Sequence, residues 1–238
     1  PRDGHTWLFG TDTLHTVNPH VYRQPGFRPE DLPPVTIATR FDQTLVCHPG
    51  LGVRTLAELI AKAKASKLSY ASGGAGVPGH LSMELLLSMA GFEMTHVPYK
   101  GAAPAATALL GGEIEVAIVD LLNVLPHVAA GKLKVLAVAS PARAPQLPNV
   151  PTTKEAGLPN LVMDTTYGVI APLGVPADVL ARFHDAIVGA VESAEVKEQM
   201  LKQGVVPMTA TPQEFKAAIQ AESDKWKRVI TAAKITIN

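Results

Sequence analysis

The chain has 238 residues, of which 47% are apolar and 18% are charged, a composition typical of a globular protein with one large domain or two smaller ones. Lysine plus arginine equals aspartate plus glutamate, at 21 each, so the formal net charge is zero and no basic excess indicates a nucleic-acid partner. No apolar run reaches the roughly 18–20 residues of a membrane-spanning helix, and Cys47, the one cysteine, excludes an intrachain disulfide and a cysteine-rich zinc site.

The chain opens with PRDGHTWLFGT, which predicts a turn followed by an apolar strand and contains neither an initiator methionine nor a signal peptide. We therefore interpret the chain as a fragment or a processed form. Residues 34–40 (PVTIATR) and 43–49 (QTLVCHP) are predicted to be two strands. A helix is predicted in TLAELIAKAKA, where Thr55 and Glu58 have the spacing of a capping box.

The middle of the chain alternates predicted strands with predicted helices. The strands cover 67–72, 94–99, 113–120 and 132–140, and the helices lie near 80–90, 102–110 and 121–130. This alternation is the signature of βαβ units, so we expect an α/β fold in which each lobe is a mostly parallel sheet flanked by helices.

The last third of the chain is predominantly helical. Apolar residues keep helical spacing after Pro176, at Val179, Leu180, Phe183, Ile187 and Val191. Thr211, Pro212 and Glu214 occupy the N-cap, N1 and N3 positions of a final helix. The whole pattern predicts a discontinuous lobe 1, made of residues 1–41 and 162–238, and a continuous lobe 2, residues 42–161.

The segment 70–91 (YASGGAGVPGHLSMELLLSMAG) places four glycines just ahead of a predicted helix. Without Cβ atoms, the backbone of such a loop can approach a ligand, and the helix N-terminus favours an anion. The loop is therefore either a cradle for a carboxylate or phosphate, or a simple tight turn. A P-loop is excluded because His80 and Leu81 follow Gly79, and the dinucleotide fingerprint lacks its acidic residue about 20 positions later.

Other patterns that could support catalysis or metal binding are weak. Ser72 lacks the preceding glycine of a nucleophile elbow. His5, His15 and His20 are close in sequence, but the last two do not share a helix face and no cysteine is near, so we predict no metal site. Four further histidines are expected to be surface or packing residues: His48, His96, His127 and His184.

Three segments carry a resemblance to a known family: YASGGAGVPGHLSMELL, MTHVPYKGAAPAATALLGGEIEVAIVD and GKLKVLAVASPAR with the later LPNVPTTKEAGLP. They resemble the substrate-binding proteins of tripartite tricarboxylate transporters, also called the Bug family. DGHTWLFGTDTLHTVNPHVY and TPQEFKAAIQAESDKWKRVI are similar to the family's early strand and its C-terminal helix. The resemblance covers nearly the whole chain. The family's opening βα unit, with its Pro-Gly-Gly loop, is absent from this sequence.

This resemblance implies a two-lobed periplasmic-binding-protein fold of type II. It implies a periplasmic, non-enzymatic monomer without a cofactor or a nucleic-acid partner. The expected ligand is a small carboxylate, either a di- or tricarboxylate or an acidic amino acid, held in the cleft between the lobes and handed to membrane permease subunits.

The resemblance also implies a set of ligand-binding residues at strand ends and in the loops that follow. Lobe 1 would contribute Gly10, Thr11, Asp12 and Tyr167, and lobe 2 would contribute Ser72, Gly73, Gly74, Ala75, Gly76, Val77, His80, Tyr99, Lys100, Gly101 and Asp120. Alternatives remain for four of them, because His80 and Asp120 can cap helices, Tyr99 can pack and Lys100 can be solvated.

Two other functions are compatible with the same architecture, because a fold does not determine a function. One is an enzyme that acts on a small carboxylate with Asp12 or Asp120 as general base. The other is the effector-sensing half of a regulator. The sequence lacks a basic helix-turn-helix, which counts against this function.

Overall fold

The computed structural model describes residues 3–233 and 235. Its strands are β1 (Leu8–Thr11), β2 (Pro34–Cys47), β3 (Ser69–Ser72), β4 (Thr95–Pro98), β5 (Val116–Asp120), β6 (Lys134–Val138), β7 (Asp164–Ile170) and β8 (Val205–Pro207). Its helices are α1 (Thr13–Thr16), α2 (Asn18–Val21), α3 (Leu56–Ala65), α4 (Pro78–Ala90), α5 (Ala102–Leu110), α6 (Leu121–Ala129), α7 (Ala177–Glu192), α8 (Ala194–Lys202) and α9 (Pro212–Ala233). In the described part of the chain, no helix is both long enough and apolar enough to cross a membrane.

The chain divides into two compact units. Unit 1 consists of Pro1–Arg40 and Thr165–Asn238, within the described residues, and unit 2 is the continuous segment Phe41–Asp164. That these units serve as two ligand-binding lobes stays a prediction.

Strand β2 contributes to both units, because the division falls within it, between Arg40 and Phe41. The sequence predicted two separate strands here, and that prediction is wrong: one strand runs unbroken for 14 residues. No glycine or proline lies between its first residue and Cys47 to form a turn, and the β-branched residues on both sides of the charged Arg40 favour extended backbone.

The sheet of unit 2 has the order β2, β5, β3, β4, with β6 also paired to β2. Strands β5 and β6 run antiparallel to β2, whereas β3 runs parallel to both β4 and β5. The predicted α/β fold is confirmed, but the sheet is mixed rather than mostly parallel, because both antiparallel pairings involve β2. Because β3, β4 and β5 are parallel, their carboxyl ends lie at one edge of the sheet.

Helices cover both faces of this sheet. A buried apolar cluster joins one face to α5 and α6, and it includes Ala71, Leu109, Ala117 and Leu121. On the opposite face, α4 buries Leu81, Met83 and Leu86 completely. Successive residues of a strand point to opposite faces, so Tyr70 and Ser72 lie on the α4 side of β3.

Unit 1 is built around the antiparallel pair β1 and β7, in which Leu8 lies opposite Ile170 and Thr11 opposite Tyr167. Strand β7 also neighbours β2, which pairs with β8. The apolar face predicted for α7 is confirmed, since Val179, Leu180, Phe183 and Ile187 pack against a cluster of Val35, Val169, Ala171 and Val175. The rings of Trp7 and Phe183 stack at 3.9 Å.

One of the two predicted capping boxes is complete. At the start of α9, the N–H of Glu214 donates to Thr211 Oγ1 at 3.2 Å and the N–H of Thr211 donates to the Glu214 carboxylate at 2.9 Å. At α3, Glu58 N–H donates to Thr55 Oγ1, but the Glu58 carboxylate accepts from the N–H of Arg54, one residue earlier than predicted.

Candidate functional site

The glycine loop, residues 73–77, connects β3 to α4 at the carboxyl edge of the unit 2 sheet. Ser72, which ends β3, is fully buried, and its hydroxyl donates to the carbonyl of Gly74 at 2.8 Å and accepts from the Gly74 N–H at 3.2 Å. The φ angle of Gly74 is +140° and that of Gly76 is +74°, values that residues with side chains rarely adopt. The loop therefore has a defined shape that requires glycine.

Part of the hydrogen-bonding capacity of this region is already satisfied inside the protein. The N–H of Gly76 donates to His80 Nδ1 at 3.0 Å. In the first turn of α4, Pro78 has no N–H, and the N–H groups of His80 and Leu81 both donate to the Val77 carbonyl. The helix terminus thus offers fewer open donors than a glycine-rich sequence alone predicts.

Other donors of the loop remain open, and two of them flank Gly74. Across the described residues, the N–H groups of Gly73 and Ala75 have no hydrogen-bond acceptor in the protein. Ala75 is exposed and Gly73 is partly exposed, so both can reach a ligand or water. Two backbone donors two residues apart on a fixed loop are suited to the oxygens of a carboxylate.

The loop after β4 holds the glycine loop in place. Tyr99 N–H donates to the Ser72 carbonyl at 2.8 Å, and Gly101 N–H donates to the Gly73 carbonyl at 3.0 Å. A Cβ on Gly73 would lie 3.0 Å from the backbone nitrogen of Ala102, closer than side chains normally tolerate. The two loops therefore form one backbone-bonded surface.

In the loop after β4, the surroundings of Tyr99 and Lys100 are those of a packing residue and a solvated residue, the two alternatives to ligand binding. Tyr99 is half-buried and packs against the apolar cluster of unit 2. Lys100 is exposed, and Gly101 is the residue before α5, with a φ of +114°.

Asp120 lies at the same edge of the sheet, at the end of β5. It is opposite Gln43 in the register of β2 and β5, and its Oδ1 accepts a hydrogen bond from the Gln43 side-chain amide. Burial raises the pKa of Asp120 to about 6. Although Asp120 precedes α6 directly, its side chain makes no cap hydrogen bond, so the capping alternative is wrong.

A stack of aromatic rings supports the glycine loop from the α4 side. The rings of His80 and His96 are parallel at 4.0 Å, and Tyr70 stacks on His96 at 4.8 Å. His96 Nε2 lies 2.7 Å from Ser72 Oγ, and the Tyr70 hydroxyl donates to Glu84 at 2.7 Å. That His96 reaches the loop could not be predicted from the sequence, because β4 brings it there through parallel pairing with β3.

The candidate residues of unit 1 form a second group. Gly10 and Thr11 end β1, where they pair with Gly168 and Tyr167 of β7. Asp12 is only 8% exposed; its Oδ2 accepts from the Thr166 hydroxyl at 3.0 Å, and its N–H donates to the Thr166 carbonyl at 3.0 Å. The four predicted residues of unit 1 therefore lie together where the end of β1 pairs with β7. That the unit 1 group and the unit 2 group bind one common ligand stays a prediction.

Residues 1–235 match the tripartite tricarboxylate transporter family receptor, TctC. The chain belongs to the TctC family. BugT of Bordetella pertussis is 34% identical to this TctC chain over 210 residues, which cover 87% of the chain and 64% of BugT.

Solved structures resemble this TctC chain over nearly its full length. Rpa4515 of R. palustris, solved with adipate, is 33% identical with a TM-score of 0.92, and the match covers 99% of the TctC chain and 80% of that structure. The periplasmic binding protein BugD is 25% identical with a TM-score of 0.89, again over 99% and 80% of the two chains.

Family membership decides between the solute-binding function and the two alternative functions that the sequence left open. TctC proteins are solute-binding receptors of the periplasmic-binding-protein fold, so the enzyme with Asp12 or Asp120 as general base and the regulator are not retained. The full burial of Ser72 is consistent with this, because a nucleophile must reach its substrate.

Two of the three clustered N-terminal histidines of the TctC chain have structural partners. His15 Nε2 lies 2.8 Å from the Leu32 carbonyl, and His20 Nε2 lies 2.8 Å from the Ser223 hydroxyl. Within residues 3–233 and 235, no group of three or more His, Cys, Asp or Glu side chains is arranged to hold a metal ion.

Proposed function

We propose that this chain is the periplasmic receptor of a tripartite tricarboxylate-type transporter, and that it captures a small carboxylate at the glycine loop for delivery to membrane permease subunits. The observation that carries the proposal is the pair of open N–H donors at Gly73 and Ala75, on a loop fixed by hydrogen bonds on both sides. Membership of the TctC family and the adipate in Rpa4515 support the ligand class.

The energetics of this loop indicate that it supplies a part of the affinity. A hydrogen bond to a charged group contributes about 1.5–3 kcal/mol, so two donors give about 3–6 kcal/mol. The N-terminal dipole of α4 adds about 0.3–1 kcal/mol for an anion. A micromolar Kd requires about 8 kcal/mol, so other groups must contribute.

The groups that would supply the rest of the binding free energy are predictions. In unit 2, Tyr99 and Asp120 share the carboxyl edge of the sheet with the loop. Asp120 suits a ligand that carries an ammonium or hydroxyl group, because a carboxylate oxygen accepts such donors. An acidic amino acid and a hydroxylated dicarboxylate are therefore the ligands to compare with a plain dicarboxylate.

Calorimetric titration tests the proposal with adipate, malate, citrate and glutamate near neutral pH. We expect one of them to bind with a Kd of about 1 μM or tighter, with about one ligand per chain. If none of the four produces heat or raises the melting temperature, the proposed carboxylate receptor is refuted.

A matched pair of variants tests whether the glycine loop is the site. Gly74→Val places a side chain on a residue with a φ of +140°, 3.5 Å from the Tyr99 carbonyl, and should weaken binding at least tenfold. Gly189→Val in α7 meets no atom within 4 Å of the added Cβ and should leave the Kd unchanged. Circular dichroism verifies that both variants fold, and equal affinities for both would show that the ligand binds elsewhere.

A further inference from the structure

Two stacked histidines contact the glycine loop at its two ends. His80, in α4, bonds Gly76 near the end of the loop, and His96, in β4, bonds Ser72 at its start. Their rings are parallel within 7° and 4.0 Å apart. His80 is 7% exposed, so its ring is held by contacts within the protein and has little access to solvent.

The hydrogen bond from Gly76 assigns the proton on the His80 ring. His80 Nδ1 accepts the N–H of Gly76, so Nδ1 carries a lone pair and the proton of the neutral ring is on Nε2. The Ser72 hydroxyl has one proton, which it donates to the Gly74 carbonyl. With that proton on the Gly74 carbonyl, Ser72 Oγ accepts from a His96 ring whose Nε2 is protonated; with the opposite His96 tautomer, Ser72 Oγ donates to Nε2 instead.

We propose that His80 and His96 are positioning residues that hold the glycine loop in its ligand-binding shape while His80 is neutral, and that a proton on His80 releases the loop. The inference rests on the proposed function of the loop. Protonated His80 would present an N–H to the N–H of Gly76, so that two donors face each other and the bond is lost. Gly76 would then be free to move away from α4, and Gly73 and Ala75 would lose their fixed spacing.

The charged and titratable groups around the pair determine the pH at which this happens. Burial lowers the pKa of His80 below its ordinary 6.5, and burial together with the neighbouring His80 lowers the pKa of His96 to about 4. Glu84, in α4, lies 3.8 Å from His80 Nε2 and opposes the shift at His96. Tyr70, in β3, faces the stack with its pKa raised by burial, so it stays neutral.

The sign of the effect follows from these lowered pKa values. The folded loop favours the neutral rings, so its hold is complete above about pH 6.5 and weakens as the pH falls through the lower pKa values of the folded state. Carboxylate capture at the loop should therefore be lost on acidification.

Nuclear magnetic resonance of the ligand-free chain tests the inference directly. In the wild type, the amide signal of Gly76 and the ring nitrogens of His80 should titrate together below pH 6.5. His80→Asn keeps an acceptor near the Nδ1 position but cannot take up a proton, so its Gly76 signal should be independent of pH. His127→Asn in α6 is the matched control and should titrate at Gly76 like the wild type.

Binding measurements on the same proteins complete the test, with the tightest ligand among adipate, malate, citrate and glutamate. We expect wild-type affinity to fall more steeply than that of His80→Asn as the pH is lowered from 7 to 4, and His80→Ala to bind weakly throughout this range. A Gly76 amide that titrates equally in His80→Asn and wild type overturns the inference, even where binding is intact. A wild type that binds none of the four ligands at pH 7 refutes the proposed function instead.

Discussion

Replacing Asp120 with asparagine should change how the stability of the chain depends on pH. Burial raises the pKa of this carboxyl to about 6, from an ordinary value of 3.8. The difference corresponds to about 3 kcal/mol, at about 1.36 kcal/mol for each tenfold change in acidity. Below pH 3.8 the carboxyl is protonated in both states, whereas above pH 6 the folded state must bury a charge. The contribution is therefore favourable at low pH and is lost as the pH rises through 6.

Asparagine removes this pH dependence while keeping an oxygen that can accept from Gln43. From about pH 5 to about pH 8, the stability of Asp120→Asn relative to the wild type should increase by about 1.4 kcal/mol. Urea unfolding followed by far-ultraviolet circular dichroism measures this, because Trp7 and Trp226, the two tryptophans, both belong to unit 1 and do not report on unit 2. Asp178→Asn, which changes an exposed carboxyl, is the control. A difference between Asp120→Asn and the wild type that is constant over this range would refute the reasoning.

Two further predictions concern stability alone. Gly79→Ala puts a Cβ 2.2 Å from the Ile118 carbonyl, so α4 must move off β5 and we expect a loss of about 1–3 kcal/mol, whereas Gly189→Ala should gain about 0.5–1 kcal/mol. Equal urea midpoints for these two variants would contradict the close packing of α4. Thr211→Ala removes the acceptor for Glu214 N–H and should lower stability by about 1 kcal/mol in urea unfolding followed by tryptophan fluorescence, and an unchanged midpoint would argue against a role for this cap.

The elements that sequence predicts well here are those determined by neighbours along the chain. The helical spacing from Val179 to Ile187 and the capping residues Thr211 and Glu214 are local patterns, and the structure confirms both. The single strand β2 was missed because Asp42 is a charged residue in the middle of it. Its side chain is 1% exposed, a burial that depends on residues distant in sequence.

The candidate site shows the same division between local and distant information. Glycine spacing ahead of a helix is visible in the sequence and correctly locates a loop with a defined backbone. The supports of that loop are not visible, because His96 reaches Ser72 only through the pairing of β3 with β4. The raised pKa of Asp120 likewise depends on burial, and the hydrogen bond that Asp120 accepts from Gln43 joins residues 77 positions apart in sequence.

The division of the chain also determines the order in which its parts can fold as the chain is produced from its first residue to its last. Unit 2 is uninterrupted from Phe41 to Asp164, so it can fold as soon as it has emerged. Strand β1 must wait for β7, its antiparallel partner, which at about 5–20 residues per second is synthesised on the order of 10–30 s later. Throughout that interval β1 lacks its partner strand, so its backbone hydrogen bonds to β7 are among the last of this chain to form.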